Sequence, residues 1–216
     1  MLTTNMLTTG MLTECRACPR LAGFLDEVRA RHPGYHARPV LPFGDPTPRL
    51  LIVGLAPGLH GANRTGRPFT GDYAGILLYQ TLHEFGWASR PESASLDDGL
   101  ALTGCRITNA VKCLPPANKP EPAEIRQCNG HLRAELAALP DTTAILALGR
   151  IAHQAVLMAL DRKLAQHPFA HASAHALPGG RRLYDSFHCS RYNTQTRRLT
   201  ADMFRAVFAR IRSDLE

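Results

Sequence analysis

Short, continuous apolar runs alternate with amphipathic stretches along this 216-residue chain. Residues 49–55 (RLLIVGL), 105–111 (CRITNAV) and 143–148 (TAILAL) are largely aliphatic and are bounded by glycine, proline or polar residues. Apolar runs of that length without alternation are the pattern of strands buried on both faces. Residues 182–185 make a fourth, shorter candidate that ends near Phe187. Between these runs lie stretches of helical periodicity. In residues 21–31, Leu21, Phe24, Leu25 and Val28 share one face, and Pro19 suits the first turn. Residues 73–85 stop at Gly86, residues 122–139 open on Pro122, residues 151–164 follow Gly149, and residues 201–212 close the chain as an amphipathic helix. Strands alternating with helices predict an α/β domain, a parallel sheet with helices on both faces. The Gly- and Pro-rich segments 32–48, 54–70 and 115–122 read as loops.

No composition shift divides the chain, so residues 12–216 read as one domain. Residues 1–11 (MLTTNMLTTGM), with their near-repeat of Met-Leu-Thr-Thr, read as a frayed tail. That segment lacks the basic start and long apolar core of a signal peptide. No apolar run approaches the roughly 18 residues of a membrane span. A soluble, cytoplasmic protein is expected. The 25 Lys and Arg against 18 Asp and Glu, a net charge of +7, suit a polyanionic partner.

The cysteines narrow the chemistry. Cys15 and Cys18 form a C-x-x-C pair before the first strand, and Cys113 and Cys128 flank the Pro-rich loop. In a cytosolic setting six cysteines point to metal ligands or buried thiols rather than disulfides. Two such pairs can hold zinc or an iron–sulfur cluster, and spacing alone does not choose between them. Cys105 falls inside a predicted buried strand and reads as a core thiol.

In an open parallel sheet, ligands bind beyond the carboxyl ends of the strands. Three polar segments fall at such ends: the loop after Leu55, Asn109, and His188. The first of these, GLAPGLHGANRTGRPFTGD, has glycines at 54, 58, 61 and 66, which permit close backbone approach. It is neither a Walker loop nor a dinucleotide fingerprint. Arg64 and Arg67 are candidates for phosphate contact. Phe69 is either a stacking face or a core residue, and Asp72 is either a helix N-cap or a functional carboxylate.

The stretches GLAPG, HGANRTGRPFTGD, ITNAVKCLPPANKP and HCSRYNTQTRRLT, with the four-cysteine set, resemble the uracil-DNA glycosylase superfamily. The resemblance is closest to family 5, its iron–sulfur branch in bacteria and archaea. It implies a central four-stranded parallel sheet, a [4Fe–4S] cluster on Cys15, Cys18, Cys113 and Cys128, and hydrolytic removal of uracil, and of hypoxanthine, from DNA. Gly54, Ala56, Phe69, Asn109 and His188 are then the residues expected around the base. Phe69 stacks on it, Asn109 reads its amide edge, His188 donates to the developing negative charge, and Asp72 orients water. Leu55 and Ala56 stand where many relatives carry an acidic or amide side chain, and the resemblance makes Asp72, in the F-T-G-D segment, the candidate to position or activate water.

Ser190, Arg191, Tyr192, Asn193 and Gln195 are expected to meet DNA. Arg191 or Tyr192 fills the vacated space, and Arg197 and Arg198 hold phosphates. This last motif reads His188-Cys189-Ser190, where relatives commonly have His-Pro-Ser or His-Val-Ser. A monomer acting on DNA is the expected form; a protein of this fold that binds uracil-DNA without cutting, or captures it covalently, is the alternative.

Overall fold

The computed structural model describes residues 12–216. The tail assigned to residues 1–11 lies outside that range. Four parallel strands form the centre of the sheet: β2 (Leu50–Gly54), β3 (Cys105–Asn109), β4 (Ala144–Leu148) and β6 (Arg182–Ser186). Two short antiparallel strands, β1 (Phe43–Gly44) and β5 (Ala174–Ala176), close its edges, giving the order β1-β3-β2-β4-β6-β5. The helices are α1 (Pro19–Arg31), α2 (Ala62–Thr65), α3 (Tyr73–Glu84), α4 (Pro122–Ala137), α5 (Arg150–Ala159), α6 (Arg191–Gln195) and α7 (Ala201–Leu215). Among the described residues no helix is long and apolar enough to cross a membrane.

Period-two alternation explains why the central strands are apolar throughout. Leu50 and Ile52 of β2, with Ala144, Leu146 and Leu148 of β4, face one core, with Leu78 and Leu82 of α3 and Phe204, Phe208 and Ile211 of α7. Leu51, Val53, Ile145 and Ala147 point the other way, into a core with Leu132 and Leu136 of α4 and Ala155 and Val156 of α5. The result is three layers. A third apolar cluster joins Leu21, Leu25 and Val28 of α1 to Val111, Cys113 and Cys128.

The expected helix over residues 151–164 ends at Ala159, because the chain turns at Asp161, whose φ is +54°. The segment after His188, given no helix in the sequence reading, forms the one-turn helix α6, capped by the Ser190 hydroxyl, which accepts from the Asn193 N–H at 3.4 Å.

Asp185 of β6 is buried without exposure, and its ion-pairing partners among the described residues are two histidines. Its Oδ1 meets His153 Nδ1 at 2.7 Å and its Oδ2 meets His175 Nε2 at 3.0 Å. His153 Nε2 lies 2.8 Å from the His167 carbonyl oxygen, which ties the segment between α5 and β5 to the end of β6. Removing one member of a buried pair leaves the other group uncompensated, at a cost of about 3–5 kcal/mol. Asp185→Ala is therefore expected to lower the urea unfolding free energy by that amount. A loss below about 1 kcal/mol would mean that water replaces the carboxylate at little cost.

Candidate active site

The chain runs from β2 to β3 on one side and then crosses over to β4 on the other, so the strand order reverses at β2 and the crevice beyond its carboxyl end is the switch point of the sheet. Gly54 and Asn109, register partners, are the last residues of β2 and β3. β6 ends at Ser186, and two residues later the chain reaches His188.

Space at the end of β2 is made by the absence of a side chain. A Cβ on Gly54 would stand 2.4 Å from Asn109 Oδ1 and 2.6 Å from Phe69 Cζ. Both distances are far inside van der Waals contact, so Asn109 and the Phe69 ring can approach the strand only over glycine. Phe69 is buried and adopts a φ of +54°, a left-handed conformation costing a bulky residue on the order of 1–3 kcal/mol. A helix contact fastens the residue before it. The Tyr79 hydroxyl of α3 donates to the Pro68 carbonyl at 2.8 Å. The Phe69 ring also faces the His188 ring, centroids 5.8 Å apart and planes 26° from parallel.

Asn109 Oδ1 and His188 Nδ1 are both buried without a hydrogen-bond partner among the described residues. Buried polar atoms are nearly always satisfied, so two orphaned ones at the same strand ends mark a place that receives a polar ligand or water. Burial pushes the His188 pKa down to about 4, so its ring is neutral at physiological pH. A neutral imidazole both donates and accepts, and an amide does the same.

Asp72 caps α3: its Oδ1 accepts from the Gly75 N–H at 3.0 Å. Its other oxygen lies over the loop, where a Cβ on Gly61 would come within 2.4 Å of Oδ2. The cap and the functional carboxylate are thus one residue using two oxygens. Burial raises the Asp72 pKa more than the N–H groups of Gly75 and Ala74 lower it. The Cys189 thiol, completely buried, is pushed up by burial and further by the charge of Asp72, which places the motif at 188–190 beside this carboxylate.

Around the crevice, Arg64, Arg191, Gln195 and Arg197 are exposed, and Tyr192 is 70% exposed. The Arg191 guanidinium stands 6.0 Å from the Tyr73 ring centre, and that of Arg198 stands 4.7 Å from the Phe187 ring centre. Asn193 is half-buried and its amide donates to the His188 carbonyl at 2.8 Å, a role inside the protein. Ala56 packs inward, against the cluster of α1.

Arg67 is a correction to the sequence reading. It is 2% exposed, bound to Asp98 at 2.8 Å and to the Ser93 hydroxyl at 3.0 Å, and stacked 4.5 Å from the Phe43 ring centre. A guanidinium so enclosed offers nothing to a phosphate; it fastens the loop to residues 93–98.

Cys15, Cys18, Cys113 and Cys128 line one cavity between α1 and α4. Burial raises the Cys18 pKa to about 11 and the Cys113 pKa to about 12, and in both the nearby thiols add to it. The Lys112 backbone N–H donates to Cys128 Sγ at 3.3 Å, a contact that stabilises a thiolate. Among the described residues, three ligand atoms come within 4.8 Å of one another only at His153, His175 and Asp185, so no three of the four sulfurs do. Tetrahedral zinc, with Zn–S near 2.3 Å, would bring them to about 3.8 Å. Cys105 is fully buried in β3, a core thiol as read from the sequence.

His171 lies in none of the motifs read from the sequence. The concentration of histidine at 153, 167, 171 and 175 was the available clue, since four of the ten histidines fall there.

Residues 41–212 match the sequence profile of the Uracil DNA glycosylase superfamily. A protein of Thermus thermophilus named Type-5 uracil-DNA glycosylase is 52% identical over 201 residues, 91% of this chain and 91% of that protein. One of the same name from Pyrobaculum aerophilum is 41% identical over 94% of this chain and 90% of its own length. A Type-4 uracil-DNA glycosylase of Archaeoglobus fulgidus is 34% identical over 55% of this chain and 52% of its own length. With a profile match across most of its length and such relatives aligned nearly end to end, the chain belongs to the uracil DNA glycosylase superfamily.

Proposed function

We propose that this protein is a monofunctional DNA glycosylase that hydrolyses the N-glycosidic bond of uracil in DNA and leaves an abasic site. The carrying observation is the pair of orphaned buried groups, Asn109 Oδ1 and His188 Nδ1, beside the Phe69 ring at the switch point of the sheet. The names of the relatives aligned over nine-tenths of the chain support the same activity.

The scissile bond is hidden inside a duplex, so the nucleotide must leave the stack, at a cost of a few kcal/mol that is smallest at a mismatch. Phe69 offers the base a flat apolar face. The Asn109 amide matches the alternating donors and acceptors of a uracil edge. As the bond breaks, negative charge grows on the base and positive charge on the sugar. Neutral His188 donates a hydrogen bond to the base oxygen without first having to lose a proton. Ionised Asp72 stabilises the cationic sugar and orients water toward C1′. Leu55 and Ala56 put no polar side chain near the base, which suits a site that also takes hypoxanthine. The exposed Arg64, Arg191, Tyr192, Gln195 and Arg197 form the face offered to DNA, with the protein acting as a monomer.

The four cysteines fit a [4Fe–4S] cluster: they share one cavity, an N–H already points at one sulfur, and their spacing exceeds what a single zinc ion sets. When bound, the cluster supplies a cross-link between α1 and the segment 113–128, holding Ala56 and the loop through the apolar cluster that all of these share. Cys113→Ser is expected to yield colourless, unstable protein; a stable brown variant would remove Cys113 from the ligand set.

The direct test uses a labelled duplex with one U·G pair, followed by alkali and a denaturing gel. Cleavage only after alkali is expected. Cleavage without alkali contradicts a monofunctional enzyme, and no cleavage by protein with its visible absorbance intact contradicts uracil excision. Asp72→Asn is expected to slow single-turnover excision about 100-fold or more while DNA affinity stays within a few-fold. Because the ionised form acts, activity falls as pH drops through the Asp72 pKa, which lies above the ordinary carboxylate value. That acid limb should vanish in the Asn variant. A rate within a few-fold of wild type would leave Asp72 as a helix cap alone.

A further inference from the structure

We propose that His171 is a positioning residue for the excision reaction, holding the main chain at Phe187 so that the His188 ring meets the base. The proposal rests on the reading of His188 given above.

Three contacts converge on the one residue before His188. The Phe187 N–H donates to His171 Nδ1 at 3.2 Å. The two rings stack, centroids 5.1 Å apart and planes 18° from parallel. On Phe187 also lies the Arg198 guanidinium, 4.7 Å from the ring centre. On the far side of His188, Asn193 donates to its carbonyl oxygen at 2.8 Å. The backbone is thus gripped immediately before and at His188, once by an acceptor and once by a donor. Among the described residues the His188 side chain has no hydrogen-bond partner at Nδ1, so its ring is aimed by the main chain and by the face of Phe69.

The grip at Phe187 requires a lone pair on His171 Nδ1, which puts the ring's proton on Nε2. Burial lowers the His171 pKa, so the neutral ring that can accept is the form present at neutral pH. The ring also hydrogen-bonds the Met203 main chain of α7. His171 is itself anchored from both sides. The His167 carbonyl meets His153, the Ala172 N–H donates to the Asp185 carbonyl at 2.9 Å, and the Asp185 N–H donates to the Ser173 carbonyl at 3.0 Å. The segment is built as a buttress against the end of β6, and His171 is the part that reaches the motif. A misplacement of about 1 Å at a reacting group can cost about 100-fold in rate, so the position of this peptide matters to catalysis.

Single-turnover excision from a U·G duplex is measured for His171→Leu, His171→Asn, His188→Ala and the double variant His171→Leu/His188→Ala. Thermal midpoint, visible absorbance and DNA affinity are followed for each. His171→Leu is expected to be slower by about 10- to 100-fold at unchanged affinity. His171→Asn, whose Oδ1 can take the place of Nδ1 as acceptor, is expected to recover most of that rate. The double variant is expected to match His188→Ala alone, because a residue that acts through another adds nothing once that one is gone. If His171→Leu does not fold, His171→Gln, which lacks an acceptor at the Nδ1 position, takes its place.

A His171→Leu rate within threefold of wild type beside a slow His188→Ala overturns the proposal and spares the reading of His188. So does a double variant in which the two losses multiply. A fast His188→Ala removes the reading of His188 and this role with it.

Discussion

The site depends on β2 ending in a residue with no side chain. Gly54 lets Asn109 Oδ1 and the Phe69 ring occupy space that a single methyl group would fill. That juxtaposition sets a hydrogen-bonding amide and an apolar ring face at one point of the crevice. The parallel pairing of β2 with β3 and β4 brings the point to the switch of the sheet. The remaining parts are arranged around it: α3 carries Asp72 on its cap, and β6 delivers His188 to the opposite wall.

The electrostatics follow from burial rather than from charged neighbours. Desolvation holds His188 neutral and raises Asp72 at the same time. In the proposed mechanism the first shift leaves a donor that carries no charge, and the second leaves a carboxylate that is a stronger base but is ionised only above its raised pKa. The arginines near the crevice, Arg64, Arg191 and Arg197, are exposed and enter as a cause in neither shift.

The central strands were legible in the sequence because burial on both faces erases polar alternation, and that pattern has few other causes. The edge strands at 43–44 and 174–176 were not, being two and three residues long and set by their neighbours rather than by their own composition. The one-turn helix at 191–195 escaped for the same reason. Asp72, Asn109 and His188 could be placed near segment ends from the hydrophobic pattern, but only the family resemblance gave them roles. Arg67 was misread because a charged residue in a polar loop reads as exposed, while its partner Asp98 lies 31 residues away and only the fold brings them together. His171 was invisible for a related reason: it acts through the backbone of another segment, and no local pattern encodes that.

The most direct test of the site is a crystal structure of the Asp72→Asn protein on a duplex containing one U·G pair. The uracil is expected outside the helix, stacked on Phe69, with its edge on Asn109 and His188 and its C1′ facing residue 72. A uracil still paired in the duplex, or lodged away from Phe69 and Asn109 in a complex that retains the normal mode of DNA binding, would contradict this assignment.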